Sequence, residues 1–351
     1  MARPKRLKLK DEEGFFHIMS RTVGQEFYLG DVEKEKLFNI IKYYSGFYFV
    51  KVIGLTIMSN HFHLLIKSEP ESYYNDDQAK QRIDKYMDKD KDKDKKKKKQ
   101  KKKKDKDKDN EEEGEGVEEG EGEISSNKLQ KIKNQMADIS EYVRAIKQTF
   151  SRWYNKMNNR TGYFWGDRFK SVLIEKGEAL INCLAYIDLN PVRARIVTRP
   201  EDYRWSGIGY RIYADNKGDF LSFDGIFSES EIKDLPKEKL IKCYRYFVYK
   251  CGNIKRLSPA VLEEGKDPAN VKSAIDNETY RHELMRDFKL PSGEIMLGRI
   301  RHFSQGMVIG SKQFLKEAYA KFGGEIIGKK DRNVYQTGIS NNILSLRKLI
   351  C

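Results

Sequence analysis

Residues 48–67 have the sequence YFVKVIGLTIMSNHFHLLIK, and this stretch decides the fold. Residues that favour strands, such as Val, Ile, Tyr and Phe, lie on both sides of Ser59-Asn60, a pair that favours a turn. Two extended segments separated by so short a turn are typical of a β-hairpin. The stretch therefore predicts two neighbouring antiparallel strands.

The second strand of this hairpin begins with His61-Phe62-His63. Alternate side chains of a strand share a face, so His61 and His63 project together while Phe62 points to the opposite side, into the core. Two imidazoles on one face are suited to bind one divalent cation. Ordinary surface histidines also occur at this spacing, so the pair alone leaves metal binding open.

The segments around the hairpin alternate between strands and helices. FFHIMSRT at 15–22 predicts a strand, and residues 31–45 and 139–158 carry apolar side chains at helical spacing. SVLIE at 171–175 predicts another strand, followed by a helix over 177–190. The order of strand, helix, strand, strand, helix, strand and helix predicts an α+β fold of the ferredoxin-like class, an antiparallel sheet with helices on one face.

Composition divides the chain into three parts. Residues 88–123 form a Lys/Asp block and a Glu/Gly block in which Val117 is the only apolar side chain, too few to offset the entropy of ordering. We therefore expect a disordered charged insertion at 76–127, which interrupts a folded domain of residues 10–215. Residues 216–351 predict a mainly helical C-terminal region.

The chain is basic, with 68 Lys and Arg against 53 Asp and Glu and a formal net charge of +15. The conspicuous lysine run does not cause this excess, because residues 88–123 hold 14 Lys against 15 acidic residues. A basic charge on the folded parts favours a polyanionic partner such as nucleic acid, with binding that weakens as the salt concentration rises.

Other classes of protein are disfavoured. The sequence has no run of about 18 apolar residues, so we expect no membrane span and no membrane partner. The basic N-terminal residues lack the apolar stretch of a secretory signal, and the four cysteines form no CxxC pair. These features predict a cytoplasmic protein with reduced thiols.

The helix predicted over 177–190 offers a partner for the histidine pair. Tyr186 and Asn190 are four residues apart and share one helical face, so the Asn190 amide oxygen is a candidate third metal ligand with the Tyr186 phenol one turn away. Tyr154 and Asn158 have the same spacing on another helix. The spacing by itself leaves both pairs open.

Three segments together resemble a known family. MSNHFHLLI at 58–66 looks like the HUH motif (His, bulky hydrophobe, His) of single-tyrosine HUH transposases. AYIDLNPVRARI at 185–196 closely resembles the Y-I-x-x-N-P-V-R/K block of their REP-associated tyrosine transposase branch, and GYFWGDRFKSVLIE at 162–175 resembles the segment that precedes this block. The resemblance covers about residues 10–215.

This resemblance implies a function and a set of site residues. It makes Tyr186, and not Tyr154, the nucleophile, and it makes His61, His63 and Asn190 the ligands of Mg²⁺ or Mn²⁺. The implied activity is that of a DNA transposase or recombinase, which cleaves and rejoins single-stranded hairpin DNA through a 5′-phosphotyrosine intermediate. Its partner would be single-stranded or hairpin DNA in the nucleoid of the cytoplasm, and both a monomer and a homodimer are compatible with the sequence.

Further residues are candidates for weaker roles. Basic side chains close to the predicted site in sequence are candidates for phosphate contacts: Arg21, Arg168, Lys170, Arg193 and Arg195. Phe164 and Trp165 are expected either to stack on unpaired bases or to pack against the sheet. His17 is expected to be structural. An accessory DNA-binding role is a further hypothesis for residues 216–351.

Two other functions are compatible with these residues. One is a nucleic-acid-binding protein that has the same fold but is catalytically silent, although the presence of His61, His63, Tyr186 and Asn190 together argues against it. The other is a metal-dependent phosphohydrolase without a covalent step. That reaction needs additional carboxylates close to the histidines, and Glu69 is the nearest acidic residue after them.

Overall fold

The computed structural model describes residues 7, 9, 11–86, 125–227, 234–252, 303, 306–322, 334–337 and 342–346. The elements, in chain order, are β1 Gly14–Arg21, α1 Asp31–Ser45, β2 Val50–Ile57, β3 His61–Ser68, α2 (residues 76–86), α3 Ser126–Met136, α4 Ile139–Met157, β4 Lys170–Ile174, α5 Glu178–Asp188, α6 Asn190–Arg193, α7 Gly207–Tyr213, α8 Lys237–Gly252, β5 Val308–Gly310, α9 Lys312–Phe322, β6 Tyr335–Gln336 and β7 Leu344–Ser345. No helix within these ranges has the length and apolar character that crossing a membrane requires.

The strands form one sheet in the order β2-β3-β1-β4-β5-β7-β6. The strands β2, β3, β1 and β4 pair with one another in antiparallel fashion, and β5 pairs with β4 in parallel. The short strands β5, β7 and β6 pair with one another in antiparallel fashion. The predicted strands and helices β1, α1, β2, β3, α4, β4 and α5 occur in the predicted order, but α2 and α3 between β3 and α4 were not predicted. The α+β class is confirmed.

The two faces of the sheet are both covered by helices, whereas the sequence predicted helices on one face. Phe62, Leu64 and Ile66 of β3 pack in the core beneath α1 and α4. Leu65 of β3 faces the other way, into a second core shared with α5 and α8. The physical reason is the composition of α5, whose side chains are buried around nearly the whole helix, so it requires apolar neighbours on more than one side.

The edges of the predicted insertion are helical. Residues 76–86 form α2, in which Ala79 and Ile83 are buried against Phe49 and against residues of α3. These apolar side chains give both helices a surface to bury, which the charged blocks lack. The predicted disorder of residues 88–123 lies outside the described residues.

The region after residue 215 contributes to both the sheet and the second core. Its described residues include helices α8 and α9 and the short strands β5, β6 and β7, and α8 packs against α5. Strand β5 pairs with β4 through Leu173 and Ile174. The division into domains at residue 215, and the accessory role of the second part, stay predictions.

Candidate active site

Three histidines and one tyrosine meet between the sheet and helix α5. In β3, His61 and His63 share the face opposite to Phe62, as the strand alternation predicted. Their ring centroids are 5.0 Å apart, and the Tyr186 ring centroid lies 6.0 Å from that of His63. The third histidine is His17 of the adjacent strand β1, whose centroid lies 6.2 Å from that of Tyr186.

His17 is part of this site in a way that its sequence position did not indicate. Its ring is nearly parallel to that of His63, with the ring centroids 5.0 Å apart, and its Nε2 atom lies 2.9 Å from His63 Nδ1 in a hydrogen bond. Its other nitrogen, Nδ1, donates to the backbone carbonyl of Phe303 at 2.6 Å. The sequence indicated only that His17 lies on a strand. Its contact with His63 depends on the antiparallel pairing of β1 with β3, which brings the two rings together.

Burial keeps the inner histidines uncharged. Desolvation lowers the pKa of His17 to about 4, although the hydrogen bond to Phe303 opposes this shift. Desolvation also lowers the pKa of His63 well below its ordinary value, and repulsion by the neighbouring His17 and His61 adds to the effect. Both imidazoles are therefore neutral at pH 7 and carry one nitrogen lone pair each.

Tyr186 is held at the end of α5 by Arg193. The tyrosine is only 2% exposed. The Arg193 guanidinium lies 4.3 Å from the centre of the Tyr186 ring, and its Nη2 atom donates to the Tyr186 backbone carbonyl. Burial lowers the pKa of Arg193 to about 10, so the side chain remains cationic at neutral pH. Arg193, predicted as a phosphate contact, is thus a buried residue that touches the candidate nucleophile.

One donor of this buried guanidinium has no partner. Within the described residues, Arg193 Nη1 is inaccessible to solvent and makes no hydrogen bond. Leaving a buried charged donor unsatisfied is costly, and such groups in folded proteins are often found where a ligand completes them. The Nη1 atom is therefore a candidate contact for an anionic group that reaches Tyr186.

Asn190 begins α6, one turn after Tyr186. Its side-chain nitrogen donates to the backbone carbonyls of Tyr186 and Ile187, each at 3.2 Å, and this orients the amide. The amide oxygen is the remaining polar atom of that side chain. Two imidazoles and one amide oxygen are a mixed nitrogen and oxygen donor set that suits Mn²⁺ and is acceptable to Mg²⁺. Metal binding by His61, His63 and Asn190 stays a prediction.

The proposed ligands His61, His63 and Asn190 include only two residues of the types that most often bind metals, which are His, Cys, Asp and Glu. The parts of the chain that the structure describes contain no group of three or more His, Cys, Asp and Glu side chains arranged to hold a metal ion. The acidic residues near the site in sequence are engaged elsewhere. Glu69 pairs with Lys51 and Lys67, and Asp188 accepts a hydrogen bond from Tyr244 at 2.6 Å, with its pKa raised to about 6 by burial.

The rival pair lies on the other side of the sheet. Tyr154 belongs to the core beneath α1 and α4, where its ring contacts Phe164 at 4.5 Å. Asn158 donates to the Tyr154 carbonyl and closes the end of α4. Neither residue joins the histidines, whereas Tyr186 does. Trp165 is also buried in that core, so for Phe164 and Trp165 the expected packing, and not base stacking, is observed.

The other predicted basic residues differ in exposure. Arg21 is half-buried at the end of β1, opposite His61 in the strand pairing. Arg168 and Lys170 are exposed at the start of β4, and Arg195 is exposed two residues after Arg193. Of these four residues, Arg21 is the one that pairs with a histidine of the site, His61, across neighbouring strands.

Comparisons with known proteins found a remote structural likeness and no likeness in sequence. No family model matches the chain, and no curated protein matches it. A solved structure of a REP-associated tyrosine transposase bound to a REP hairpin is similar with a TM-score of 0.36 and 14% sequence identity, over 64% of this chain and 90% of that one.

Proposed function

We propose that this chain is a DNA strand transferase that cleaves single-stranded hairpin DNA with Tyr186 and rejoins the strands. The observation that carries the proposal is the contact of Tyr186 with His63, which has His61 beside it, and the cationic Arg193 against the tyrosine ring. A phenol, a cation and paired imidazoles within one small space are suited to attack on a phosphodiester.

In this reaction the Tyr186 oxygen attacks phosphorus and gives up its proton to solvent. The bond from phosphorus to the 3′ oxygen breaks, and the departing oxygen takes up a proton from solvent. The products are a 5′-phosphotyrosine and a strand that ends in a 3′ hydroxyl. Arg193 stabilises the negative charge that develops on the phosphate, through a guanidinium that is already in place and shielded from water. A group held in advance needs no reorganisation during the reaction, which makes its contribution larger than in solvent.

His61, His63 and Asn190 would hold Mg²⁺ or Mn²⁺, which supplies charge neutralisation and polarisation of the scissile phosphate. The neutral state of His63 supports this role, because a protonated imidazole cannot ligate. The phosphotyrosine bond conserves the free energy of the broken phosphodiester, so a 3′ hydroxyl can attack it and restore a DNA strand without ATP.

A labelled hairpin oligonucleotide tests the proposal. The protein is incubated with the DNA and Mn²⁺ or Mg²⁺, denatured and separated on a gel, where a covalent adduct migrates with the protein. We expect an adduct with the wild type and none with Tyr186→Phe. Tyr154→Phe is the matched control, since it removes the same hydroxyl from the tyrosine of the other core, and it should form the adduct normally.

The alternative functions give different results in this assay. A metal-dependent phosphohydrolase would release cleaved DNA without an adduct, and Tyr186→Phe would still cleave. A catalytically silent binding protein would retain the hairpin under native conditions and leave it intact. An adduct that persists in Tyr186→Phe would show that the assignment of the nucleophile is wrong.

A further inference from the structure

We infer that His17 is a positioning residue that keeps the Nε2 lone pair of His63 available to a divalent cation. The inference rests on the proposed function in one respect, since His63 is taken as a metal ligand. It adds a residue outside the HUH motif to the site, and it gives the backbone carbonyl of Phe303, from the C-terminal region, a role in ordering that site.

The direction of each hydrogen bond in this chain of groups follows from elementary chemistry. A carbonyl oxygen only accepts, so the contact of 2.6 Å with the Phe303 carbonyl requires a hydrogen on His17 Nδ1. A neutral imidazole carries one N–H, so His17 Nε2 is an acceptor. The His63 Nδ1 atom, 2.9 Å away, must then be the donor. This leaves His63 Nε2 without a hydrogen.

The surroundings of His17 favour this arrangement. The ring is 1% exposed, and its neighbours are the aromatic rings of His63 and Tyr186 and the Phe303 backbone. Within the described residues no carboxylate contacts the His17 ring, so nothing offsets the cost of a buried imidazolium. The pair therefore shares a single hydrogen, which lies on His63 Nδ1.

His61 has the equivalent arrangement on a different partner. The Asn60 side-chain nitrogen donates to the Gln25 carbonyl at 2.9 Å, which orients the amide so that Asn60 Oδ1 lies 2.6 Å from His61 Nδ1. This oxygen accepts, so His61 also carries its hydrogen on Nδ1. In both imidazoles of the motif, Nε2 is therefore the nitrogen that carries no hydrogen. Metal-binding histidines usually donate their other ring N–H in this way, which fixes both the tautomer and the orientation of the ring.

Through the carbonyl of Phe303, the C-terminal region takes part in positioning His17 and His63. Phe303 lies 286 residues after His17 in sequence, yet its carbonyl fixes the His17 tautomer and its ring lies 5.3 Å from that of Tyr186. Residues beyond the domain predicted over 10–215 thus contact both the ligand side and the nucleophile side of the site.

The tautomers can be measured directly in the full-length protein without metal. Long-range ¹H–¹⁵N NMR on protein labelled at histidine distinguishes a protonated ring nitrogen from an unprotonated one, and the chain has only five histidines to assign. We expect His61 and His63 with hydrogen on Nδ1 at pH 7.5. A hydrogen on Nε2 of His63 would overturn the inference, whatever the outcome of the DNA adduct assay.

Binding of Mn²⁺ alone then tests whether the arrangement matters. His17→Phe removes the acceptor, and we expect it to weaken Mn²⁺ binding about 10- to 100-fold, as losses of such outer partners do. His17→Gln, which places a carbonyl oxygen near His63, should recover part of the affinity. Unchanged binding in a folded His17→Phe protein, or no Mn²⁺ binding by the wild type, would overturn the inference.

Different experimental results would refute the proposed function and this inference. Tyr186→Phe should retain both the His63 tautomer and the wild-type affinity for Mn²⁺, because it leaves the histidines and their partners in place. An adduct that survives in Tyr186→Phe would refute the nucleophile while leaving the NMR result standing. A wild-type adduct together with hydrogen on His63 Nε2 would refute the role of His17 alone.

Discussion

The Arg193 guanidinium lies over the ring of Tyr186, 4.3 Å from its centre, and one of its nitrogens donates to the backbone carbonyl of the same residue. The two contacts tie the first residue of the Tyr-Ile-Asp-Leu-Asn-Pro-Val-Arg segment to the last. The chain turns from α5 into α6 between them, which allows a side chain seven residues further on to reach back to the tyrosine.

This relationship predicts a large effect of Arg193 on catalysis. Arg193→Gln should slow formation of the covalent adduct about 100-fold, the scale on which enzymes lose activity when one prearranged donor to a developing charge is removed. Arg193→Lys should be slowed less, because it retains the charge but not the planar group that covers the ring. Single-turnover measurements with labelled hairpin DNA give the rates.

A control separates this effect from the loss of any arginine. Arg204 is an exposed residue that pairs with Glu35 on the surface, and Arg204→Gln should leave the rate within about twofold. A rate for Arg193→Gln as high as that of this control, with both proteins folded by circular dichroism, would contradict the role of Arg193.

The core of the fold could be predicted because its signals are local. The alternation in His61-Phe62-His63 assigned the two histidines to one face and Phe62 to the other, and the structure agrees. Helical spacing and strand composition likewise predicted the other elements up to α5, except for α2 and α3, which lie at the edges of the predicted insertion. These patterns depend only on neighbours in sequence, which is why a single chain is enough to find them.

Other parts of the site could not be found in this way. The contact of His17 with His63 depends on the pairing of two strands, and its contact with Phe303 joins residues 286 positions apart. The burial of Arg193 depends on the turn between α5 and α6, so its sequence position suggested a phosphate contact but not its contact with the Tyr186 ring. Such features depend on packing between residues that are far apart in sequence, and the periodicity of the sequence does not predict this packing.

The exposed basic residues should control affinity for DNA and not the rate of the chemical step. Arg168→Gln, Lys170→Gln and Arg195→Gln should each weaken binding of hairpin DNA and reduce the slope of log affinity against log salt by about one, if each side chain neutralises one phosphate. Fluorescence anisotropy over a range of salt concentrations measures both quantities.

Lys131 provides the matched control for these variants. It is exposed on α3, a helix that packs with α4 and whose buried side chains belong to a different core cluster from those of α5. Lys131→Gln should leave the salt dependence of binding unchanged. If all four variants have the same slope as the wild type, these three basic residues do not contact phosphates.

Removal of divalent cations should abolish the covalent step. EDTA is expected to prevent adduct formation, and excess Mn²⁺ should restore it. His61→Ala should form little adduct at limiting Mn²⁺ and recover in part at high Mn²⁺, because the loss of one ligand weakens binding without removing the nucleophile. The gel assay measures adduct at each Mn²⁺ concentration, and full adduct in EDTA would contradict a role for metal.

Glu201 joins helix α8 to the segment that follows α6, and its charge should stabilise the fold. Its carboxylate is fully buried and accepts hydrogen bonds from Arg245 at 2.6 Å and from Tyr249 at 2.8 Å, both on α8. Burial by itself raises the pKa of Glu201, but the positive charge of Arg245 and these hydrogen bonds outweigh it and hold the pKa below its ordinary value.

The pH dependence of stability follows from this shift. A carboxyl with a lower pKa in the folded than in the unfolded protein contributes stability above the unfolded pKa of about 4.5, and the contribution is lost as the pH falls through the folded value. Glu201→Gln should therefore lower the free energy of unfolding by about 3 kcal/mol at pH 7. The difference from the wild type should shrink as the pH falls below about 4.5.

Urea unfolding of both proteins between pH 3 and pH 7 measures this difference. Glu35→Gln is the control, because Glu35 pairs with Arg204 on the surface and its removal should cost less than about 1 kcal/mol. If Glu201→Gln is no more destabilising than Glu35→Gln at pH 7, the buried carboxylate does not hold α8 in place. A difference that is constant with pH would mean that the pKa of Glu201 is the same in the folded and unfolded protein.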